Sequence, residues 1–245
     1  MKEKKNKIAV FDIDGTIFRK NLHYELLDEL VYMKIFPREV KKQLVGVYGD
    51  WLNNEGTYET YREKLVKLYE ENLKGCRKND INKAAEIVTR FNVKRIYVFA
   101  RDLIKKIKDS YLLVAISGSP VEIVSRYSAA LGFDFSFGSV YEIDEKGFYT
   151  GKAIFEPTKN KGAVVKQFVY ENNLSLEDSL GVGDTESDAA FLKIVEKPIA
   201  FNPNSNLKEI AKKKGWKIVI EKKDVIYDVT GHLKTLGPND IKKIL

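Results

Sequence analysis

Four apolar residues, Ile8-Ala9-Val10-Phe11, break off at Asp12, and the same pattern recurs along the chain. Residues 111–116 form a second such run, ending at Ser117-Gly118, and residues 178–183 a third, ending at Asp184. Two more follow at 198–201 and 216–220. Runs this short, bounded by polar residues, read as buried strands. Between them lie stretches of helical spacing at 121–131, 161–172, 186–195 and 207–214. Strands alternating with helices imply a parallel sheet closed by crossover helices. The expected fold is α/β, a Rossmann-like parallel sheet core with helices on both faces.

Residues 20–95 break that rhythm. They carry little strand signal but several amphipathic faces: Tyr24, Leu27, Leu30 and Val31; Tyr61, Leu65, Leu68 and Tyr69; Ile81, Ala84, Ala85 and Val88. Gly46, Gly49, Asn53-Asn54, Gly56 and Gly75 read as turns between helices. The expectation is a core domain made of 1–19 and 96–245, with a small helical cap domain, 20–95, inserted after the first strand. Residues 140–143 and 148–151 flank Asp144-Glu145-Lys146-Gly147 as a hairpin. The segment 224–245 is expected to pack a last helix on the sheet.

Composition narrows the chemistry. Cys76 is the single cysteine, so neither an internal disulfide nor a cysteine zinc site can form. His23 and His232 are the only histidines, which excludes a site built on several imidazoles and leaves metal chemistry to carboxylates. No apolar stretch approaches the roughly 18 residues of a membrane span, and the apolar run after the basic start is too short for a secretory signal. A cytoplasmic protein is expected, with no membrane partner. The formal charge of +7 suits an anionic substrate without selecting one. The lysine runs 2–7 and 212–217 read as solvated faces.

Four polar clusters fall where strands end or a helix begins, the edge at which open α/β sheets bind ligands. They are Asp12-Ile13-Asp14-Gly15-Thr16, Ser117-Gly118-Ser119, Lys161, and Gly183-Asp184-Thr185-Glu186-Ser187-Asp188. Phosphoryl transfer needs an in-line nucleophile, positive groups on the equatorial oxygens and an acid for the leaving group. Of Asp12 and Asp14, one can attack while the other moves protons. Close carboxylates repel, so a hard cation such as Mg²⁺ is expected, with Asp184 as a further carboxylate. Ser117 offers a hydroxyl and Gly118 an N–H just before a helix N-terminus. Lys161 adds a compact positive charge. Each cluster alone is compatible with a turn or a helix cap; their order and strand context favour a site.

These residues resemble the haloacid dehalogenase superfamily of phosphatases, in its phosphoserine phosphatase-like branch. Asp12 to Thr16 resembles the first motif, Ser117 the second, Lys161 the third, and Gly183-Asp184 with Asp188 the fourth. The likeness spans about 8–201, and the helical insert is similar to that branch's cap. Lys161 is preferred over Lys152, Lys159 and Lys166 for its place at a helix start and its spacing from Asp184. The resemblance implies that Asp12 forms an aspartyl-phosphate and that Asp14 protonates the leaving group, then activates water. It implies Mg²⁺ bound by Asp12, the Asp14 backbone carbonyl and Asp184, and phosphate held by Ser117, Gly118 and Lys161. Asp188 would orient Lys161 or metal-bound water from behind. Phosphoserine phosphatases also carry a glutamate soon after the first motif that reads the substrate's amino group. Here the positions are Phe18, Arg19, Lys20 and Asn21, so a second anionic group on the substrate is expected instead.

The expected activity is a phosphomonoesterase acting on a small phosphorylated metabolite. A phosphotransferase stays open as a close relative in chemistry. A nucleic-acid-end phosphatase ranks lower, because no clustered basic and aromatic platform stands out. A phosphate-binding module without catalysis ranks lower still, because Asp12, Asp14, Lys161 and Asp184 are all present. Tyr24, Trp51, Tyr58 and Tyr61 read as cap core, with substrate contact as the alternative.

Overall fold

The computed structural model describes residues 5–231 and 234–236. The first strand, β1 (Lys7–Phe11), leads into a helical segment of α1 (Leu22–Tyr32), α2 (Arg38–Leu52), α3 (Tyr58–Leu73) and α4 (Lys78–Asn92). Next come α5 (Val98–Ile107), β2 (Tyr111–Pro120), α6 (Val121–Ala130), β3 (Phe135–Ile143) and β4 (Tyr149–Phe155). A 3-10 turn precedes α7 (Lys161–Glu171) and β5 (Ser175–Gly183), and a second precedes the short α8 (Ala189–Leu192). The described chain ends with β6 (Lys197–Phe201), α9 (Ser205–Lys214), β7 (Lys217–Lys222), β8 (Val225–Asp228) and β9 (Lys234–Leu236).

The described strands form one sheet in the order β4-β3-β2-β1-β5-β6-β7-β8-β9. From β3 to β7 all neighbours are parallel; β4, β8 and β9 add antiparallel edges. The strands alternate their side chains between two buried clusters. Ala9 and Phe11 face the one that takes in α1–α6, while Ile8 and Val10 face the one formed with α7–α9. Burial on both faces is why the strand runs are continuously apolar rather than alternating. After β1 the chain builds outward through β2 and β3, then returns to β5 on the other side of β1. That reversal opens a crevice at the carboxyl ends of β1 and β5.

The turn after β1 is tight. The N–H groups of Thr16, Ile17 and Phe18 all donate to the Ile13 carbonyl, and Gly15 sits at φ +85°. The chain then pairs with its own return. Arg19 N donates to Arg95 O (3.1 Å) and Tyr97 N to Ile17 O (3.0 Å), so a two-stranded ribbon marks where the helical segment leaves and rejoins the sheet. Within the segment, Asn21 caps α1 and Thr57 caps α3 through side-chain oxygens. The segment shares the first buried cluster with the sheet, with α4 against α6 and α3 against β4.

Several local expectations change. Gly46 and Gly49 lie inside α2, not at turns, because Val40 and Leu44 supply the buried face and the glycines lie on the outer side. The hairpin around Gly147 forms, held by Asp144 Oδ1 accepting from Lys146 N and Phe148 N (both 2.9 Å). Its first strand starts earlier, at Phe135, and belongs to the main sheet through pairing with β2. The helix after Asp184 is shorter than its pattern, a 3-10 turn followed by four residues. α5, which the strand-and-helix reading passed over, has its first two N–H groups held by the buried Glu221 (3.1 and 2.9 Å). Residues 225–228 are a strand and not a helix, because Val225, Ile226 and Tyr227 pair with β7. The rest of that expected helix beyond 236, with His232 and the start of the 2–7 lysine run, lies outside the described residues.

Candidate active site

β1 delivers Asp12 and Asp14, β2 Ser117 to Ser119, α7 Lys161 at its first position, and the end of β5 Asp184 and Asp188. Lys161 is 2% exposed. Its Nζ donates to Asp12 Oδ1 at 2.6 Å and to Asp188 Oδ1 at 2.5 Å. Lys159 and Lys152 are instead exposed and paired with Glu156 and Glu142. The other oxygen of Asp188 accepts from the N–H groups of Asp184 (2.9 Å) and Thr185 (3.0 Å). Asp188 therefore ties the lysine to the turn that presents Asp184, and as part of a capping box it is itself fully buried.

The acidic groups of Asp12, Asp184 and Asp188 lie within 4.8 Å of one another. Lys161 pairs with Asp12 and Asp188 but not with Asp184, so one ammonium is set against three closely spaced acidic groups. Asp12 Oδ2 is buried without a hydrogen-bond partner among the described residues. A Cβ on Gly15 would come 2.1 Å from Asp184 Oδ2, so only glycine leaves room for that carboxylate. The electrostatics agree. Burial pushes Asp12 up to about 8 against the pull of Lys161, and Asp188 and Asp14 push the same way. Burial, then Asp12 and Asp188, holds Asp184 well above the usual carboxylate range. For Lys161, burial pulls the ammonium down, but Asp12 and Asp188 outweigh it and hold the group above its ordinary value. Three oxygen donors with excess negative charge fit a divalent cation.

Asp14 is turned away from that cluster. Its Oδ2 accepts from Ser117 Oγ and Ser119 Oγ, both at 2.7 Å, and its Oδ1 from Leu22 N at 2.5 Å. Burial raises its pKa above the ordinary carboxylate value even against these donors. Ser117 is fully buried and engaged with Asp14 and Ser119 N (2.9 Å), whereas Gly118, Ser119 and Lys161 line the cavity above. Ser119, which the sequence placed in the same cluster without a role, donates to Asp14 beside Ser117. Gly118 has its own constraint: a Cβ there would meet Thr158 Cγ2 at 2.6 Å.

The cavity holds about 1370 Å³ and runs from these carboxylates to α2 and α3. Tyr58 reaches its floor. The Tyr58 hydroxyl accepts from Asn21 Nδ2 at 3.1 Å, and burial, then Asp14, Asp184 and Asp12, holds that phenol above its ordinary value. Arg19 and Lys20 both line the cavity, each already facing a carboxylate. Arg19 is paired with Glu221 and lies 5.2 Å from the Tyr97 ring centroid, and Lys20 is paired with Glu25 at 2.8 Å. Neither is an unpaired cation, because carboxylates brought in by folding neutralise both. Tyr48, Trp51, Tyr58 and Tyr61 form one aromatic cluster at the cavity, with Tyr61 packed behind the other three.

A parallel sheet carrying buried Asp12 and half-buried Asp14, a buried lysine and a second acidic loop at its carboxyl edge defines a phosphate-transfer hydrolase of the α/β class. The model of the haloacid dehalogenase-like hydrolase family matches residues 9–193, and the chain belongs to that family as a phosphoric monoester hydrolase. It is 28% identical over 226 residues to the phosphoserine phosphatase of Methanocaldococcus jannaschii, covering 91% of this chain and 96% of that one. It is 23% identical over 228 residues to the histidinol-phosphatase of Neisseria meningitidis, covering 86% of this chain and 97% of that one. Among solved structures, a phospho-aspartyl intermediate analogue of phosphoserine phosphatase superimposes with a TM-score of 0.58 at 26% identity, covering 90% of this chain and 96% of that one. A Bordetella pertussis protein of unknown function shares the fold with a TM-score of 0.71 at 22% identity, covering 89% and 99% of the two chains. Among the described residues, no helix is long and apolar enough to cross a membrane.

Proposed function

We propose that the chain is a Mg²⁺-dependent phosphomonoesterase that hydrolyses a small organic phosphate through an aspartyl-phosphate on Asp12. The observation that carries this reading is the cluster of buried Asp12, buried Asp188 and half-buried Asp184 at the floor of a cavity, with Lys161 paired to the first two. Asp12, Asp184 and the Asp14 backbone carbonyl would hold Mg²⁺, which when bound neutralises the carboxylates and the phosphate's charge. Residues 20–95 act as a cap, entered and left through the ribbon at residues 17–19 and 95–97.

Lys161 and the Gly118 N–H hold the phosphate oxygens, and Asp188 keeps the lysine in place. Asp12, ionised, attacks phosphorus, forming the carboxyl O–P bond as the ester P–O bond breaks. Asp14 gives its proton to the departing oxygen, and Ser117 and Ser119 position it for that step. The Asp14 carboxylate then takes a proton from water, whose oxygen attacks the acyl phosphate. Phosphate leaves, and the Asp12 carboxylate is restored. The relatives named above act on phosphoserine and on histidinol phosphate. The substrate here is a monoester of the same size class.

The test is hydrolysis of p-nitrophenyl phosphate with and without Mg²⁺, by the wild type and Asp12→Asn. Turnover that requires Mg²⁺ and falls at least about a thousandfold in the variant is expected. Turnover that persists in Asp12→Asn removes the nucleophile assignment.

A further inference from the structure

The leaving group departs toward the cap, where the wall carries an aromatic cluster and paired cations, with Glu63, Glu70 and Glu186 also on the lining. Tyr58 stands nearest the carboxylates. Its ring meets Trp51 edge-on at 5.1 Å between centroids, and Tyr48 follows at 5.6 Å from Trp51. Tyr61, 4% exposed, lies behind them, stacked on Trp51 at 6.1 Å and 13°. Only Tyr61 is buried as a core residue. Trp51 and Tyr58 are half-buried, and Tyr48 is 43% exposed at the cavity lining. Away from the phosphate seat, the cations lining the cavity among the described residues already lie against carboxylates. Arg19, Lys20, Lys41, Arg62, Lys67 and Lys159 pair with Glu221, Glu25, Asp28, Glu59, Glu71 and Glu156. His23, also on the wall, is buried against the Tyr69 ring. A second phosphate or a carboxylate on the substrate would compete with a carboxylate for one of these cations. A flat apolar ring would instead gain a face of Trp51 or Tyr48 without displacing any charge.

We infer that the cap wall formed by Tyr48, Trp51 and Tyr58 is a subsite for an uncharged planar ring in the leaving group, so that the substrate is a monoester of an aromatic or heteroaromatic alcohol. The inference rests on the phosphomonoesterase reading and adds the class of alcohol. It also accounts for a wide cavity above a small phosphate seat. The bland alternative, rings packed only to stabilise the cap, fits Tyr61 but leaves unexplained why three rings face the cavity.

The experiment compares benzyl phosphate with ethyl phosphate, two primary alkyl esters of similar intrinsic reactivity, in the wild type, Trp51→Leu and Tyr48→Leu. The wild type is expected to favour benzyl phosphate at least tenfold in kcat/KM, and that ratio is expected to fall at least fivefold in each variant. Equal kcat/KM for the two esters in the wild type overturns the subsite, as does a ratio that neither variant changes. Faster, salt-sensitive turnover of a 5′-phosphorylated oligonucleotide than of benzyl phosphate also overturns it, in favour of a polymer end. If neither small ester turns over, the catalytic reading is what fails, and binding then decides the subsite. Quenching of tryptophan fluorescence by benzyl but not ethyl phosphate, lost in Trp51→Leu, supports it. No difference between the two esters refutes it. Trp216, the only other tryptophan, is 8% exposed in the cluster on the opposite face of the sheet and serves as the internal reference.

Discussion

His23 makes a measurable claim about how this fold responds to pH. It is 3% exposed, its Nε2 has no hydrogen-bond partner among the described residues, and its ring meets Tyr69 edge-on at 4.6 Å. Burial, with a smaller push from Arg62, lowers its pKa from 6.5 to about 3. Below pH 6.5 the unfolded chain takes up a proton that the folded chain refuses. Stability that is whole near neutrality is therefore lost as pH falls from about 6.5 toward about 3. At 1.36 kcal/mol per unit the full loss is about 5 kcal/mol, of which roughly 2 kcal/mol falls between pH 7 and pH 5. Urea unfolding at those two pH values, for the wild type and His23→Leu, isolates this share, because every other titrating group is common to both proteins. The wild type should lose about 2 kcal/mol more than the variant. Equal losses in the two proteins would falsify the assignment of His23 as a buried neutral imidazole.

Three further outcomes are expected. Saturating Mg²⁺ should raise the melting temperature over a chelator control by about 5–10 °C at a hundredfold excess over its Kd, and Asp184→Asn should abolish that rise; a wild type indifferent to Mg²⁺ would count against the metal site. Gly15→Ala should cost about 1–2 kcal/mol from its positive φ alone and should reduce activity at least about tenfold, because the new Cβ overlaps Asp184 Oδ2; a fully active variant would mean that the acidic loop moves freely. Gly46→Ala should stabilise the protein by roughly 0.5–1 kcal/mol in chemical denaturation, since the site is helical with open space around it; a loss of stability there would contradict the helical assignment of α2.

The chain alone determined the order of the strands in sequence, the helical segment between the first strand and the rest, and the polar clusters at Asp12, Ser117, Lys161 and Asp184. These are local signals. A short apolar run marks a strand, helical spacing marks a face, and a polar cluster at a strand's end marks the binding edge of a parallel sheet. Tertiary structure decided what those residues touch. Asp14 meets Ser119 across 105 positions, Lys161 meets Asp12 across 149, and Arg19 meets Glu221 across 202. No periodicity in one segment reports a partner that far away. For that reason Arg19 reads in the sequence as a cation open to substrate and is paired in the fold. For the same reason Trp51 and Tyr58 read as cap core in the sequence, although both face the cavity in the fold. Gly46 and Gly49 mislead in the opposite direction: burial of Val40 and Leu44 carries α2 through two residues whose local preference is to end a helix.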